Sequence, residues 1–152
     1  MNKAIFSVAF VGTMFLSGPH APAEDLPVPT ITEYFKTEGG GFISVGNTVK
    51  YAIEIKPRKR VNGSKPWFAR IEYENPEDVN APLVQDQEFP PNKETFSIQS
   101  DALAAIKNRK TYRVTLKAYE DPGRTILITT HSIDIRFDVP DELAKSWGLK
   151  LL

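Results

Sequence analysis

Apolar side chains recur at every second position through most of this chain, the pattern of strands with one buried face. Val49, Tyr51, Ile53 and Ile55 alternate with Lys50, Ala52, Glu54 and Lys56, and Pro57 closes the run. A turn at Asn62-Gly63-Ser64 follows, and the alternation resumes with Trp67, Ala69, Ile71 and Tyr73 against Phe68, Arg70, Glu72 and Glu74 until Asn75-Pro76 stops it. Thr95 to Gln99 predicts a short strand carrying Phe96 and Ile98. Tyr112, Val114, Leu116 and Ala118 alternate with Arg113, Thr115, Lys117 and Tyr119 before Asp121-Pro122-Gly123 turns the chain. Ile31 to Lys36 and Phe42 to Val45 read as a first strand broken by a flexible turn at Gly39-Gly40-Gly41.

Thr125 to Val139 carries a phase conflict: Ile126 and Ile128 sit on even positions, whereas Ile133, Ile135 and Phe137 sit on odd ones. A bulge near Thr129 to Ser132 resolves it, because one extra residue moves every later side chain to the other face. Alternatively Leu127, Thr129 and His131 continue the odd face inward. Helical signals are few. Ser100 to Lys107 predicts one turn capped by Ser100 or Asp101, with Leu103 and Ile106 inward. Pro140 at a first helical position, Asp141 and Glu142 in the first turn and Gly148 past the last turn predict a short C-terminal helix that packs Leu143 and Trp147.

The fold class that follows is all-β, an antiparallel sandwich of about seven strands with a short C-terminal helix. Tyr112 opens a strand directly after the Ser100 to Lys107 crossing. On that tyrosine and the strand pattern the chain resembles immunoglobulin-like and fibronectin type III-like β-sandwiches. The resemblance implies a Tyr112 hydroxyl bonded to upstream backbone. It implies no particular function, since such sandwiches host many.

The first residues have a different character. Lys3, the apolar run Ala4 to Leu16 and the small residues Ala21-Pro22-Ala23 form a signal peptide over residues 1–23, cleaved after Ala23. The run is shorter than the 20 or so residues that a membrane-spanning helix requires. Residues 24–30 read as an extended leader, 31–139 as the sandwich domain and 140–152 as the helix and tail. The expected location is periplasmic or secreted, with no stable membrane anchor after cleavage, and the absence of cysteine leans towards a bacterial periplasm.

Composition changes the functional question once that segment is subtracted. Cleavage removes Lys3 as the only charge, leaving 18 basic against 19 acidic side chains, so no global basic field exists to attract nucleic acid. Both methionines and His20 also depart. With no Cys or Met and a single histidine, His131, the remaining chain lacks the donors of a zinc or copper site and the thiol of a cysteine nucleophile, so neither cofactor nor metal is expected. No catalytic residue is assigned. His131 stands outside any motif and reads as a packed or edge-strand histidine, with a general base or pH switch as its functional alternative. Glu74, Glu77, Asp78 and Asn80 crowd oxygens into one loop, but their spacing fits a bare acidic loop better than a calcium loop.

Two constellations are candidates for partner binding. Lys56, Arg58, Lys59, Arg60 and Lys65 form a basic hairpin loop beside Trp67, suited to another protein or an anionic envelope polymer. Leu143, Trp147 and Leu151 provide apolar surface at the end of the chain. The expectation is therefore a non-catalytic interaction module. Its alternatives are a carboxylate-dependent enzyme acting on envelope glycans and a structural β-subunit that completes a neighbour's sheet through the edge near Thr125 to Phe137.

Overall fold

A computed structural model describes residues 31–59 and 67–152. The expected signal peptide and leader, the expected turn at Asn62-Gly63-Ser64, Arg60 and Lys65 lie outside the described residues. The described chain runs β1 (Phe35–Val45), β2 (Thr48–Pro57), β3 (Trp67–Tyr73), β4 (Leu83–Phe89), β5 (Phe96–Gln99), β6 (Ala105–Ile106), β7 (Lys110–Tyr119), β8 (Leu127–Phe137), α1 (Asp141–Ser146) and β9 (Lys150–Leu151). Seven of these strands make two antiparallel sheets, ordered β1-β2-β5 and β4-β3-β7-β8. The fold is all-β.

The inward parity of each strand builds the core between the sheets. Tyr51, Ile53 and Ile55 from β2 are buried, as are Ala69, Ile71 and Tyr73 from β3 and Tyr112, Val114, Leu116 and Ala118 from β7. Aromatic rings join the sheets face to face: Tyr51 stacks on Tyr73 at 5.3 Å, Phe42 meets Phe137 edge-on at 5.1 Å, and Phe89 stacks on Phe96 at 4.1 Å. Such pairs add directional preference to the burial of large apolar area.

β1 is continuous where a break was expected. The three glycines stay in register with β2, and the irregularity is a bulge between Thr37 and Gly39 that leaves Glu38 unmatched. Gly40 is exposed but lies on the inward parity of β1, and a Cβ placed there would stand in ordinary contact with the Ile135 side chain, at 3.4 Å.

The phase conflict in β8 resolves one step upstream of the expected bulge. Ala118 pairs Thr129 while Tyr119 pairs Leu127, so Ile128 is the extra residue. His131, Ile133, Ile135 and Phe137 all point inward; of the residues the alternative reading put on that face His131 is buried, whereas Leu127 is 52% exposed on the outer face.

The segment Ser100 to Lys107 is not helical. Leu103 exchanges backbone hydrogen bonds with Val49, and Ala105–Ile106 forms a strand. The Ser100 hydroxyl accepts from Tyr51 N and donates to Asp101 O, which uses the proposed cap to tie this crossing to β2. Leu103 and Ile106 are nevertheless buried.

β4 was absent from the sequence expectations. Its outward positions Val84, Asp86 and Glu88 and inward Gln85 and Gln87 give little hydrophobic alternation, and it is an edge strand held by pairing with β3.

The C-terminal helix forms with a different inward face. Pro140 stands at the N-cap, one position earlier than expected, and its carbonyl accepts from Leu143 N and Ala144 N. At the other end Gly148 adopts φ 70°, Gly148 N donates to Lys145 O and Leu149 N donates to Ala144 O. These paired bonds are a Schellman ending. It turns Leu149 into the core beside Ala144 and delivers Lys150–Leu151 to pair in parallel with Ala105–Ile106. Leu143, expected inward, is 39% exposed. Among the described residues no helix is long and apolar enough to cross a membrane.

Candidate functional site

The basic loop is described only up to Lys59, and two of its cations there are turned toward their own chain. Lys59 pairs with Glu33, and the Arg58 guanidinium donates to Thr32 O at 2.7 Å. Lys56 is exposed on the outer face of β2, directly opposite Lys36 of β1. Trp67 is only 3% exposed, packed against Tyr34 at 5.7 Å and Phe35 at 5.3 Å. It is a core residue and offers no stacking surface to a ligand of this loop.

The tail constellation is likewise divided. Trp147 and Leu151 are half-buried against the core, whereas Leu143 and Leu152 are exposed. Backbone pairing of β9 with β6 makes this segment an integral part of the domain.

Tyr112 behaves as its resemblance implied. Its hydroxyl donates to Lys107 O at 3.0 Å and accepts from Lys107 N at 2.8 Å. Burial raises its pKa above the ordinary tyrosine value. Asn108 secures the same corner: its amide donates to Val139 O and Asp141 Oδ1, and its oxygen accepts from Val139 N. No pattern in the sequence singled out Asn108.

In the acidic loop the oxygens serve local structure. Glu74 Oε1 binds Lys110 and its Oε2 accepts from Arg113 N, while Asn75 and Asp78 accept from backbone N–H groups two residues on. Among the described residues no group of three His, Asp or Glu side chains converges as a metal site.

The outer face of the four-stranded sheet presents a surface that the strand pattern alone did not assemble. Register places Glu88, Phe68, Tyr119 and Leu127 in one cross-strand row on β4, β3, β7 and β8. Phe68 and Tyr119 are half-buried, and Leu127 is 52% exposed, with Ile126 beside it at 53%. The bulge at Ile128 is what turns Leu127 outward. Asp121 fixes the preceding turn by accepting from Thr125 N, Ile126 N and the Thr125 hydroxyl. These bonds hold the Asp121 carboxyl below its ordinary pKa, the one from Ile126 N most of all.

Charged side chains on that face pair across strands. Arg70 makes a two-point contact with Asp86 at 2.9 and 3.0 Å, Arg113 does so with Asp134 at 2.8 and 3.1 Å, and Lys117 reaches Glu72 at 2.6 Å. Hydrogen bonding to its arginine lowers the pKa of each aspartate. Arg124 folds back to Ala69 O and Asp86, closing one side of the apolar row. Alternation already put Phe68 and Tyr119 on the polar face of their strands, which was the available signal. Their adjacency depends on register. Comparisons with family models, curated proteins and solved structures found no match to this chain.

Proposed function

We propose that this chain is an exported, non-catalytic binding module of the bacterial envelope that docks a protein partner on the outer face of β4-β3-β7-β8. The observation that carries this reading is the outward row Phe68, Tyr119 and Leu127, extended by Ile126. Aromatic and aliphatic side chains gathered on an otherwise charged face are the composition of an interface centre, with the ion pairs as its polar rim. The exposed apolar positions favour a protein over an anionic polymer, because Arg58, Lys59, Arg70, Arg113 and Lys117 already have partners within the chain.

Export rests on Lys3, the apolar run and Ala21-Pro22-Ala23. As for ancestry of form, β1-β2-β5 facing β4-β3-β7-β8 corresponds to strands A-B-E facing C′-C-F-G. With Tyr112 at the corner, this order supports a fibronectin type III-like reading. Glu72, Glu74, Asp86 and Asp134 are each bound to a cation, which weighs against their service as the free acid and base of a glycan-cleaving enzyme.

The test uses photoreactive side chains placed in the envelope of the native cell. Substitution at Tyr119 or Leu127 is expected to give one shared cross-linked protein, displaced by excess unmodified chain. Substitution at Glu54 or Ser97, on the outer face of the other sheet, is expected to give none. Equal cross-linking from both faces, or from neither, counts against the proposal.

A further inference from the structure

His131 joins two strands that share no backbone pairing among the described residues. Its Nδ1 lies 3.1 Å from the Thr32 hydroxyl and its Nε2 lies 2.8 Å from the Thr37 hydroxyl. The threonines flank the start of β1 in one sheet, and the histidine sits in β8 at the edge of the other. The ring and Thr37 are both buried. Thr32 Oγ1 already donates to Phe35 O and accepts from Phe35 N, so it accepts a third bond from Nδ1–H and leaves Nε2 to accept from the Thr37 hydroxyl. Every polar atom is satisfied only with the imidazole neutral.

The geometry points to an acid-released clasp: neutral His131 pins the start of β1 across the seam between the sheets, and its protonation frees residues 32–38. A second proton on Nε2 would point at Thr37 Oγ1 and force the threonine hydrogen toward buried surroundings. Among the described residues no anion faces the ring to compensate the new charge. Glu33 and Lys36 flank the threonines but pair with Lys59 and Glu38; Arg58 is bound to Thr32 O; Lys117 and Asp134, beside the ring on β7 and β8, face outward to Glu72 and Arg113. Burial is the sole cause of the ring's depressed pKa.

On its other side the segment is tied to β2 by the pairs Phe35–Pro57, Lys36–Lys56 and Thr37–Ile55 and by Arg58 N donating to Tyr34 O, and this ladder is interrupted by the bulge at Glu38 with glycines immediately after it. Because the folded pKa lies below the ordinary 6.5, the clasp is complete above that pH and is lost as pH falls through and below it. Release uncovers Phe35, which packs on both Trp67 and the His131 ring.

Amide hydrogen exchange of the purified protein at about pH 7.5 and pH 5 tests this, corrected for intrinsic rates. Residues 33–38 are expected to exchange at least about tenfold faster in acid while Val114 and Leu116 of β7 keep their protection. A His131→Gln variant is expected to lose that difference. Should this variant not fold, the wild-type ring itself decides by NMR: a midpoint below 6.5 that tracks the Thr37 amide supports the clasp. A midpoint at or above 6.5 overturns it, as does simultaneous loss of β7 protection or an unchanged pH response in the folded variant.

Discussion

The two sheets of this domain are held by different means. In β4-β3-β7-β8 the long strands β7 and β8 pair over nearly their full lengths, and the outer face carries cross-strand ion pairs. In β1-β2-β5 the β1–β2 ladder is as long, with one bulge at Glu38 as β8 has one at Ile128, but the third strand, β5, has only four residues. The small sheet is secured from across the core, where the Tyr51 hydroxyl donates to Glu74 O at 2.7 Å and Phe42 packs on Phe137 and Tyr112. A sheet whose third strand is short is thus also ordered by what it buries and whom it reaches. The four-stranded sheet differs in carrying its ion pairs and apolar row on its outer face.

Removing a cross-core anchor is the most damaging way to break this contrast. Tyr51 is fully buried, its pKa pushed up by desolvation first and by Tyr112 and Glu74 after it. Tyr51→Ala is expected to cost about 4 kcal/mol, from the cavity and lost apolar contact together, and to leave Glu74 O without its donor. Chemical denaturation measures this. A loss no greater than that of Glu54→Ala, on the exposed face of the same strand, would contradict the role given to Tyr51.

Adjacent glycines sharpen the contrast at the seam. Gly40→Val is expected to cost up to about 1–3 kcal/mol, because its γ-carbons reach past the 3.4 Å contact that a Cβ makes with Ile135. Gly39→Val meets no atom within 4 Å of its Cβ and should be neutral or slightly stabilising, as a β-branched residue replaces glycine in a strand. Thermal unfolding of the two variants decides. Equal effects would mean that contact with Ile135 does not distinguish the two glycines.

Much of this architecture was legible because period-two alternation is a local property. The inward faces of β2, β3, β5 and β7 follow residue by residue from it, and Tyr112 was identified from its place at the head of a strand. What escaped depends on partners distant in sequence. β4 has apolar inward residues only at its ends, Leu83 and Phe89, with Gln85 and Gln87 between them, and is completed by pairing with β3. Leu103 to Ile106 has helical spacing, yet it meets Val49 on one side and Lys150–Leu151 on the other, and those partners impose extended backbone. Trp67 looked available beside a basic loop because sequence shows proximity along the chain rather than depth. The apolar row was half visible: the outward parity of Phe68 and Tyr119 was plain, whereas Leu127 joins them only through the bulge at Ile128.

The smallest effect is expected from the feature that looks most numerous. Lys117 and Glu72 form an ion pair on the outer face with both side chains about a third exposed. Water screens the attraction and ordering two long side chains opposes it, so Lys117→Gln should cost under about 1 kcal/mol. The pair is diagonal, with Lys117 opposite Arg70 and Glu72 opposite Thr115, so it favours this alignment of β3 on β7 over slipped ones. A double-mutant cycle with Glu72→Gln, run at low and high salt, checks the assignment. Coupling well above about 1 kcal/mol, undiminished by salt, would make the outer ladder a principal source of stability. It would also set the outer ion pairs of the four-stranded sheet beside the cross-core contacts as a main support of the fold.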